Sequence, residues 1–140
     1  MPRISAAFFA FGVLCVLAGM LLGMHMGATQ NFTLAQAHAH LNLVGWVTMA
    51  LYGTFYAFTR ETKSLWLPRV NFLVSALGTM VMLAFLSLFL ASGNDPKWVS
   101  GMVAGEWLTV AGVAIFAISV WRELFRRRHG HPHPHPHDRG

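Results

Sequence analysis

Four long stretches of the chain contain almost no charged side chains, and this feature excludes most soluble folds. They are Ser5–Met24, Ala37–Phe58, Val70–Ala91 and Trp98–Trp121. Together they contain one charged residue of the Asp, Glu, Lys and Arg types, which is Glu106. At about 1.5 Å of rise per residue, about 20 residues of α-helix cross the roughly 30 Å hydrocarbon core of a bilayer. A soluble helical bundle would need a polar stripe along each helix, and these stretches have none. The sequence therefore predicts an all-α membrane protein, with four transmembrane helices in residues 1–125 and a disordered, basic, His- and Pro-rich tail in residues 126–140.

The Lys and Arg residues are distributed unequally between the two sides of this four-helix topology. The chain has ten Lys and Arg residues. Nine of them fall on the side of the chain termini, and Lys97 falls on the other side. The nine are Arg3, Arg60, Lys63, Arg69, Arg122, Arg126, Arg127, Arg128 and Arg139. Cytoplasmic segments of membrane proteins are enriched in Lys and Arg. We therefore expect a multi-pass protein of a bacterial-type inner membrane with both termini in the cytoplasm. The net charge of +5 then needs no nucleic-acid partner to explain it.

Four ionisable side chains lie in the half of the predicted membrane domain that is remote from the termini. His25 is near the outer end of the first helix, His38 and His40 follow the outer start of the second, and Glu106 is in the fourth. An unpaired ionisable group at the bilayer centre costs about 2.5–3.5 kcal/mol or more, so such residues are functional candidates. We take all four as candidate cofactor-binding residues.

His38 and His40 are two residues apart, and this spacing limits what they can bind together. Successive α-helical residues are rotated by about 100°, so the two imidazoles point about 200° apart. Two histidines that chelate one metal ion from the same helix must point in nearly the same direction, as they do at positions i and i+4. Haem iron suits the spacing, because it takes one axial nitrogen on each face and its ring fills the space between helices. Gly45 leaves room for a flat macrocycle or for a close helix, and Trp46 can form part of a wall.

The sequence AHAHLNLVGWVTMALYGTFY, residues 37–56, resembles the haem-ligating tenth helix of subunit I of the haem–copper oxidases. It is most similar to the cbb-type oxidases and the nitric oxide reductases, in which an HxH motif holds two haems, one on each side of the helix. The resemblance implies haem b, with His38 matching the ligand of the active-site haem and His40 that of the low-spin electron-transfer haem. The family's copper or non-haem iron centre also uses an adjacent His-His pair, which this sequence lacks. The resemblance therefore leaves enzymatic activity open.

The family's architecture also suggests an assembly. Its twelve-helix subunit consists of three four-helix arcs around a pseudo-threefold axis, and the haem-ligating helices are second in their arcs. The HxH helix is second of four here, so three copies would form a comparable ring. Because His38 and His40 cannot serve one iron within a protomer, we expect a homotrimer with a haem at each interface. Small residues allow close helix contacts, between or within protomers, at Gly19, Gly23, Gly27, Gly101 and Gly105.

Each of these polar residues also has an interpretation without a cofactor. His38 and His40 can form hydrogen bonds to neighbouring carbonyl groups or water. Glu106 can be a protonated acid bonded to a helix, a proton-relay group, or a partner of a histidine or a haem propionate. The sequence does not decide between these roles.

Two other regions suit metal ions. Met24 and Met26 flank His25, and together they offer soft ligands to copper(I), although a histidine this close to a helix end can simply reach the membrane surface. The alternating His-Pro tail favours an extended chain. It can bind copper, nickel, zinc or free haem loosely, or remain solvated without a ligand. Its histidines are His129, His131, His133, His135 and His137.

Two functions follow from these patterns. The first is a haem-b-binding membrane protein that acts in electron transfer, with an electron-transfer partner, or in redox or gas sensing. The alternative is a membrane protein that handles copper or zinc through its His and Met groups and its tail. Bis-histidine ligation would leave the iron without an open position, which favours electron transfer over catalysis.

The charge distribution generates a prediction about topology. A reporter that is active only in the periplasm should be inactive when fused after Gly140, because that terminus lies on the side with nine of the ten Lys and Arg residues. The same reporter inserted after Asn94, beside Lys97, should be active. The opposite pattern of activities would reverse the assigned orientation.

Overall fold

Four long helices make up the structure, a computed structural model that describes residues 1–59 and 64–128. In chain order they are α1 (Arg3–Thr29), α2 (Ala35–Phe58), α3 (Trp66–Ala91) and α4 (Val99–Arg128). The described residues contain no strand, and a 3₁₀ turn at Pro96–Trp98 leads into α4. Each of the four helices is long and apolar enough to cross a bilayer, which confirms the helical fold expected from the sequence. α4 includes the first three residues of the predicted tail, 126–128, and the rest of the tail lies outside the described residues.

Every helix extends beyond its charge-free stretch at one end or both. α1 begins two residues earlier, at Arg3, and continues to Thr29, where Gln30 adopts a left-handed conformation with φ of 53°. Arginine forms α-helix nearly as readily as leucine, so the loss of apolar character does not itself end a helix. Charge-free length thus predicts the part of each helix inside the hydrocarbon, whereas the ends depend on local turn residues.

The connection between α3 and α4 illustrates such turn residues. Gly93 and Asn94 both have positive φ angles, 72° and 66°, a conformation that glycine and asparagine tolerate better than other residues. The Asp95 carboxylate then accepts a hydrogen bond from the Lys97 amide (3.0 Å) and caps the 3₁₀ turn. α3 and α4 therefore pack as a tight helical hairpin, and their contact is the most extensive within the described chain.

Glycine positions bring the α3 and α4 backbones together. A Cβ atom at Gly78 would lie 2.7 Å from the Thr109 amide nitrogen, and one at Gly105 would overlap the Met82 backbone. No larger residue fits at either position without moving a helix. α1 and α2 form a second hairpin, and α3 contacts both of its helices. This arrangement leaves α4 at the edge of the bundle, with α3 as its main neighbour.

An aromatic cluster fills the half of the bundle that contains the start of α1 and the end of α4, which we call the terminal end. Phe8, from α1, is fully buried, and its ring lies 5.8 Å from Tyr52 and 5.6 Å from Tyr56 between ring centroids. Phe72 of α3 and Phe116 of α4 complete the cluster. All four helices therefore meet at the terminal end through large rigid side chains.

A chain of hydrogen bonds runs beside the aromatic cluster and links three helices. The Ser75 hydroxyl donates to Asn71 Oδ1 (2.8 Å), and Asn71 Nδ2 donates to the Tyr56 oxygen (3.0 Å). The Tyr56 hydroxyl lies 2.9 Å from Ser119 Oγ, and Ser119 donates in turn to the Ile115 carbonyl (3.2 Å). Tyr56 is therefore the donor to Ser119. These buried polar groups satisfy one another inside the bundle, which an apolar environment requires.

The outer surface of the bundle is apolar, as expected for helices surrounded by lipid. Large apolar side chains that are more than half exposed occur on every helix, for example Leu14, Leu51, Leu73 and Val110. α4 is the least covered helix. Only 17% of its most apolar stretch is buried, against 28% for each of the other three. The apolar stretch of α4 is thus covered less by the rest of the bundle than that of any other helix.

Candidate functional site

The HxH motif lies at a change of helix type within α2. Residues Ala35–His40 are α-helical, Leu41–Thr48 form a π-helix, and Met49–Phe58 are α-helical again. In the π segment the backbone bonds join residues five apart, and the Thr48 hydroxyl likewise donates to the Leu43 carbonyl (3.0 Å). π-Helical turns are uncommon and occur frequently at functional sites. The motif therefore ends where regular α-helical winding ends, a feature that the apolar pattern did not predict.

His38 points towards α1 and is held there by a backbone group. Its Nδ1 lies 2.7 Å from the Gly19 carbonyl oxygen. The ring passes close to Gly23, where a Cβ atom would lie 2.9 Å from His38 Cε1. The missing side chain at Gly23 thus forms the seat of this imidazole, whereas the one at Gly19, one helical turn earlier, makes room for the Asn42 amide. The sequence suggested these glycines as packing positions, but not that they accommodate polar side chains.

His40 lies on a different side of α2 and interacts with its own helix. Its Nδ1 is 2.7 Å from the Gln36 carbonyl oxygen, one turn earlier. Its Nε2 makes no hydrogen bond to any residue in the described ranges, and the side chain is partly exposed. The two histidines therefore face separate surroundings, one against α1 and one towards the outside of the bundle.

The hydrogen bonds fix the same tautomer for both rings. A carbonyl oxygen can only accept, so each Nδ1 must carry the proton and donate it. In the neutral imidazole, the lone pair available to a ligand is then on Nε2. A histidine that donates from Nδ1 to a carbonyl is the usual form of a metal-ligating histidine, because this bond orients the ring and raises the basicity of Nε2.

Asn42 contacts the free nitrogen of His38. Asn42 Nδ2 is 3.3 Å from His38 Nε2, a long hydrogen bond, and Asn42 Oδ1 is buried without a hydrogen-bond partner among the described residues. The contact with His38 is the one hydrogen bond that the Asn42 side chain forms to the described residues.

Gly45 and Trp46 both face α1. A Cβ atom at Gly45 would lie 2.6 Å from Cys15 Cβ, so the absence of a side chain here allows the close approach of a helix. Trp46 packs on Gly12 of α1, where a Cβ atom would lie 3.0 Å from the indole. Of the two uses that the sequence allowed for Gly45, the structure contains the helix contact, and Trp46 belongs to the same contact.

His25 and Glu106 lie on the surface of the bundle. Both side chains are exposed, and within the described part of the chain no hydrogen bond or ion pair connects either of them to His38 or His40. Met24 is 70% exposed whereas Met26 is 5% exposed, so the two sulfur atoms beside His25 point in different directions. The structure thus does not gather His25 and its neighbours into one ligand set, and Glu106 faces outward from α4.

Clusters of metal-ligating side chains are also absent from the described ranges. No group of three or more His, Cys, Asp or Glu residues in residues 1–59 and 64–128 is arranged to hold a metal ion. The tail histidines, His129 to His137, lie outside the described residues. The candidate site therefore consists of the two imidazoles of α2, each with one available nitrogen. No family model, curated protein or solved structure matches the chain.

The seat of His38 generates a prediction. Gly23→Ala should displace the imidazole and weaken its bond to the Gly19 carbonyl, lowering the free energy of unfolding by about 1–2 kcal/mol relative to Gly27→Ala. Gly27 is the matched control, since a Cβ atom there meets nothing within 4 Å. Both substitutions raise the helix propensity of α1, so the difference between the two free energies of unfolding isolates the contact with His38. Unfolding in mild detergent followed by circular dichroism measures it, and equal stabilities would contradict the proposed seat.

Proposed function

We propose that this chain is a haem-b-binding integral membrane protein, related to subunit I of the haem–copper oxidases, that acts in electron transfer or in redox or gas sensing. The observation that carries the proposal is the shared geometry of His38 and His40. Both rings donate from Nδ1 to a backbone carbonyl at 2.7 Å, which leaves Nε2 as the nitrogen with which each could bind a ligand. Two imidazoles prepared in this way, in a helix suited to lipid, fit axial ligands of a haem iron.

The two histidines differ in how readily they would bind iron. His40 Nε2 has no hydrogen-bond partner among the described residues and lies on a partly exposed side of α2. His38 Nε2 first has to lose its long contact with Asn42. That contact competes weakly, because a nitrogen–nitrogen distance of 3.3 Å lies at the limit for a hydrogen bond. His40 is therefore the more accessible ligand, and Asn42 determines the accessibility of His38.

When bound, the haem would supply a one-electron carrier. The Gly19 and Gln36 carbonyls would orient the two histidine nitrogens that bind the iron. Apolar side chains of the protein would surround the haem. Ligation by two histidines leaves no open coordination position, and this favours electron transfer with a partner protein over catalysis. If only one histidine bound the iron, the iron would keep an open coordination position for a gas. This is the sensing variant of the proposal.

The proposal includes a homotrimer with one haem at each interface. His38 and His40 lie on separate sides of α2, so two iron ligands on one haem require a second protomer. The low coverage of α4 supports a neighbouring copy, because Trp107 is 69% exposed and Glu106 is exposed within the apolar stretch of that helix. A carboxyl group that faces lipid is costly, and a protein neighbour would remove that cost.

The proposed location is a bacterial-type inner membrane, crossed four times, with both termini in the cytoplasm. Four helices suited to a bilayer and the unequal distribution of Lys and Arg support this assignment. His38, His40 and Glu106 would then lie in the outer half of the membrane, near the non-cytoplasmic surface. An electron-transfer partner would approach from that side.

Haem content tests the proposal directly. The protein purified in mild detergent should show a Soret absorption band, and His38→Ala or His40→Ala should strongly reduce haem content at unchanged expression. His25→Ala is the control, because His25 is exposed and has no contact with either ligand, and it should retain haem. Full haem loading of the His38→Ala, His40→Ala double variant would refute the proposal. A colourless protein that binds copper or zinc would favour the alternative, a metal-handling function.

Assembly provides a separate test. Native mass spectrometry of the detergent-solubilised protein should give a trimer with one haem per protomer. Removal of haem should shift the distribution towards monomers, since a ligand that binds only the oligomer stabilises it by mass action. A monomer that carries stoichiometric six-coordinate haem would contradict the intermolecular site and would leave haem binding itself intact.

A further inference from the structure

A cleft of about 590 Å³ opens at the terminal end of the bundle, far along the helices from the HxH motif. The last turn of α2, the first turn of α3 and the last turns of α4 surround it, and we call it the terminal cleft. Its apolar walls include Phe55, Trp66, Leu67, Pro68 and Phe125. Its volume is in the range of roughly 300–1,000 Å³ that is typical of ligand-binding clefts.

One cation in the terminal cleft has no partner among the described residues. Arg122 lines the cleft, and its guanidinium group forms no ion pair or side-chain hydrogen bond within residues 1–59 and 64–128. Arg126 also lines it, but it is bound to Glu123 through two hydrogen bonds of 3.1 Å. Among the described lining residues, Arg122 is therefore the cation that is left to bind an anion. An anionic group suits this charge, and guanidinium binds phosphate with particular preference.

The position of the terminal cleft in the membrane restricts its occupant further. Trp66, at the start of α3, and Trp121, one residue before Arg122, are 68% and 56% exposed. Tryptophan is enriched at the level of lipid headgroups, where its ring contacts apolar chains and its N–H reaches water. A molecule in the cleft would therefore have its polar part at the headgroup level and its apolar part against Phe125 and the neighbouring walls.

We propose that the terminal cleft binds a phospholipid with an anionic headgroup. The Arg122 guanidinium would hold the phosphate, and the apolar walls would hold the glycerol-proximal part of the acyl chains. The cytoplasmic leaflet, on which this end of the bundle is proposed to lie, is rich in anionic lipid. The inference is independent of haem, since no residue of the terminal cleft belongs to the histidine site.

Lipid retention measured on the full-length protein tests the proposal. The protein would be equilibrated in detergent with phosphatidylglycerol or phosphatidylcholine, and the lipids that remain bound would be counted by native mass spectrometry. The wild-type protein should retain phosphatidylglycerol preferentially. Arg122→Gln should weaken this retention about tenfold, the effect expected for loss of one charge-assisted interaction. The matched control is Arg69→Gln, since Arg69 is an exposed arginine at the same end that does not line the cleft.

A second pair of variants tests the apolar walls. Phe125→Ala should reduce retention of phosphatidylglycerol, whereas Leu124→Ala, a change at a similarly exposed neighbour outside the cleft, should not. Circular dichroism verifies that all four variants are folded. Equal retention of the two lipids, or equal losses in Arg122→Gln and Arg69→Gln, would overturn the proposal. Displacement of phosphatidylglycerol by glycerol phosphate or by oleate at comparable concentrations would show that a simpler anion occupies the cleft, and this outcome also overturns it.

Discussion

The close approach of α1 to α2 is the contact on which the candidate site depends. It is possible because glycine occupies the crossing points on both helices, with Gly12 and Gly19 on α1 and Gly45 on α2. In a bilayer, lipid competes for apolar side chains, so helices associate through close packing and through polar groups that satisfy one another. The Gly19 carbonyl serves both purposes, since its missing side chain admits α2 and its oxygen accepts the His38 proton.

The bundle contains both satisfied and unsatisfied buried polar groups. At the terminal end, Ser75, Asn71, Tyr56 and Ser119 form a chain in which each donor has an acceptor. By contrast, two buried oxygens, Asn42 Oδ1 near the HxH motif and Ser5 Oγ at the terminal end, have no hydrogen-bond partner among the described residues. The satisfied chain links α2, α3 and α4 at the terminal end.

Much of the fold could be predicted from the sequence, because the absence of charge over four long stretches is a strong and additive signal. The candidate histidines could also be identified from the sequence, because placing an ionisable group in a membrane-spanning helix costs free energy and is therefore uncommon. The π segment at Leu41–Thr48 was not predictable in this way. It contains apolar residues on all sides, so its winding leaves no mark on the apolar pattern. The contact of His38 with Gly19 depends on how two helices cross, and the spacing of Gly19 and Gly23 alone indicates only that some close neighbour is present.

The change of winding inside α2 determines how its two halves are rotated relative to each other. A switch between π and α bonding turns the segments on either side of it about the helix axis relative to each other. The later segment, Met49–Phe58, is anchored by Tyr52 and Tyr56 in the aromatic cluster, and the earlier segment is held by the contacts of His38 with Gly19 and Gly23 on α1. Because both ends are held, the wide winding of the π segment sets the angle about the helix axis between the aromatic face of α2 and the two imidazoles.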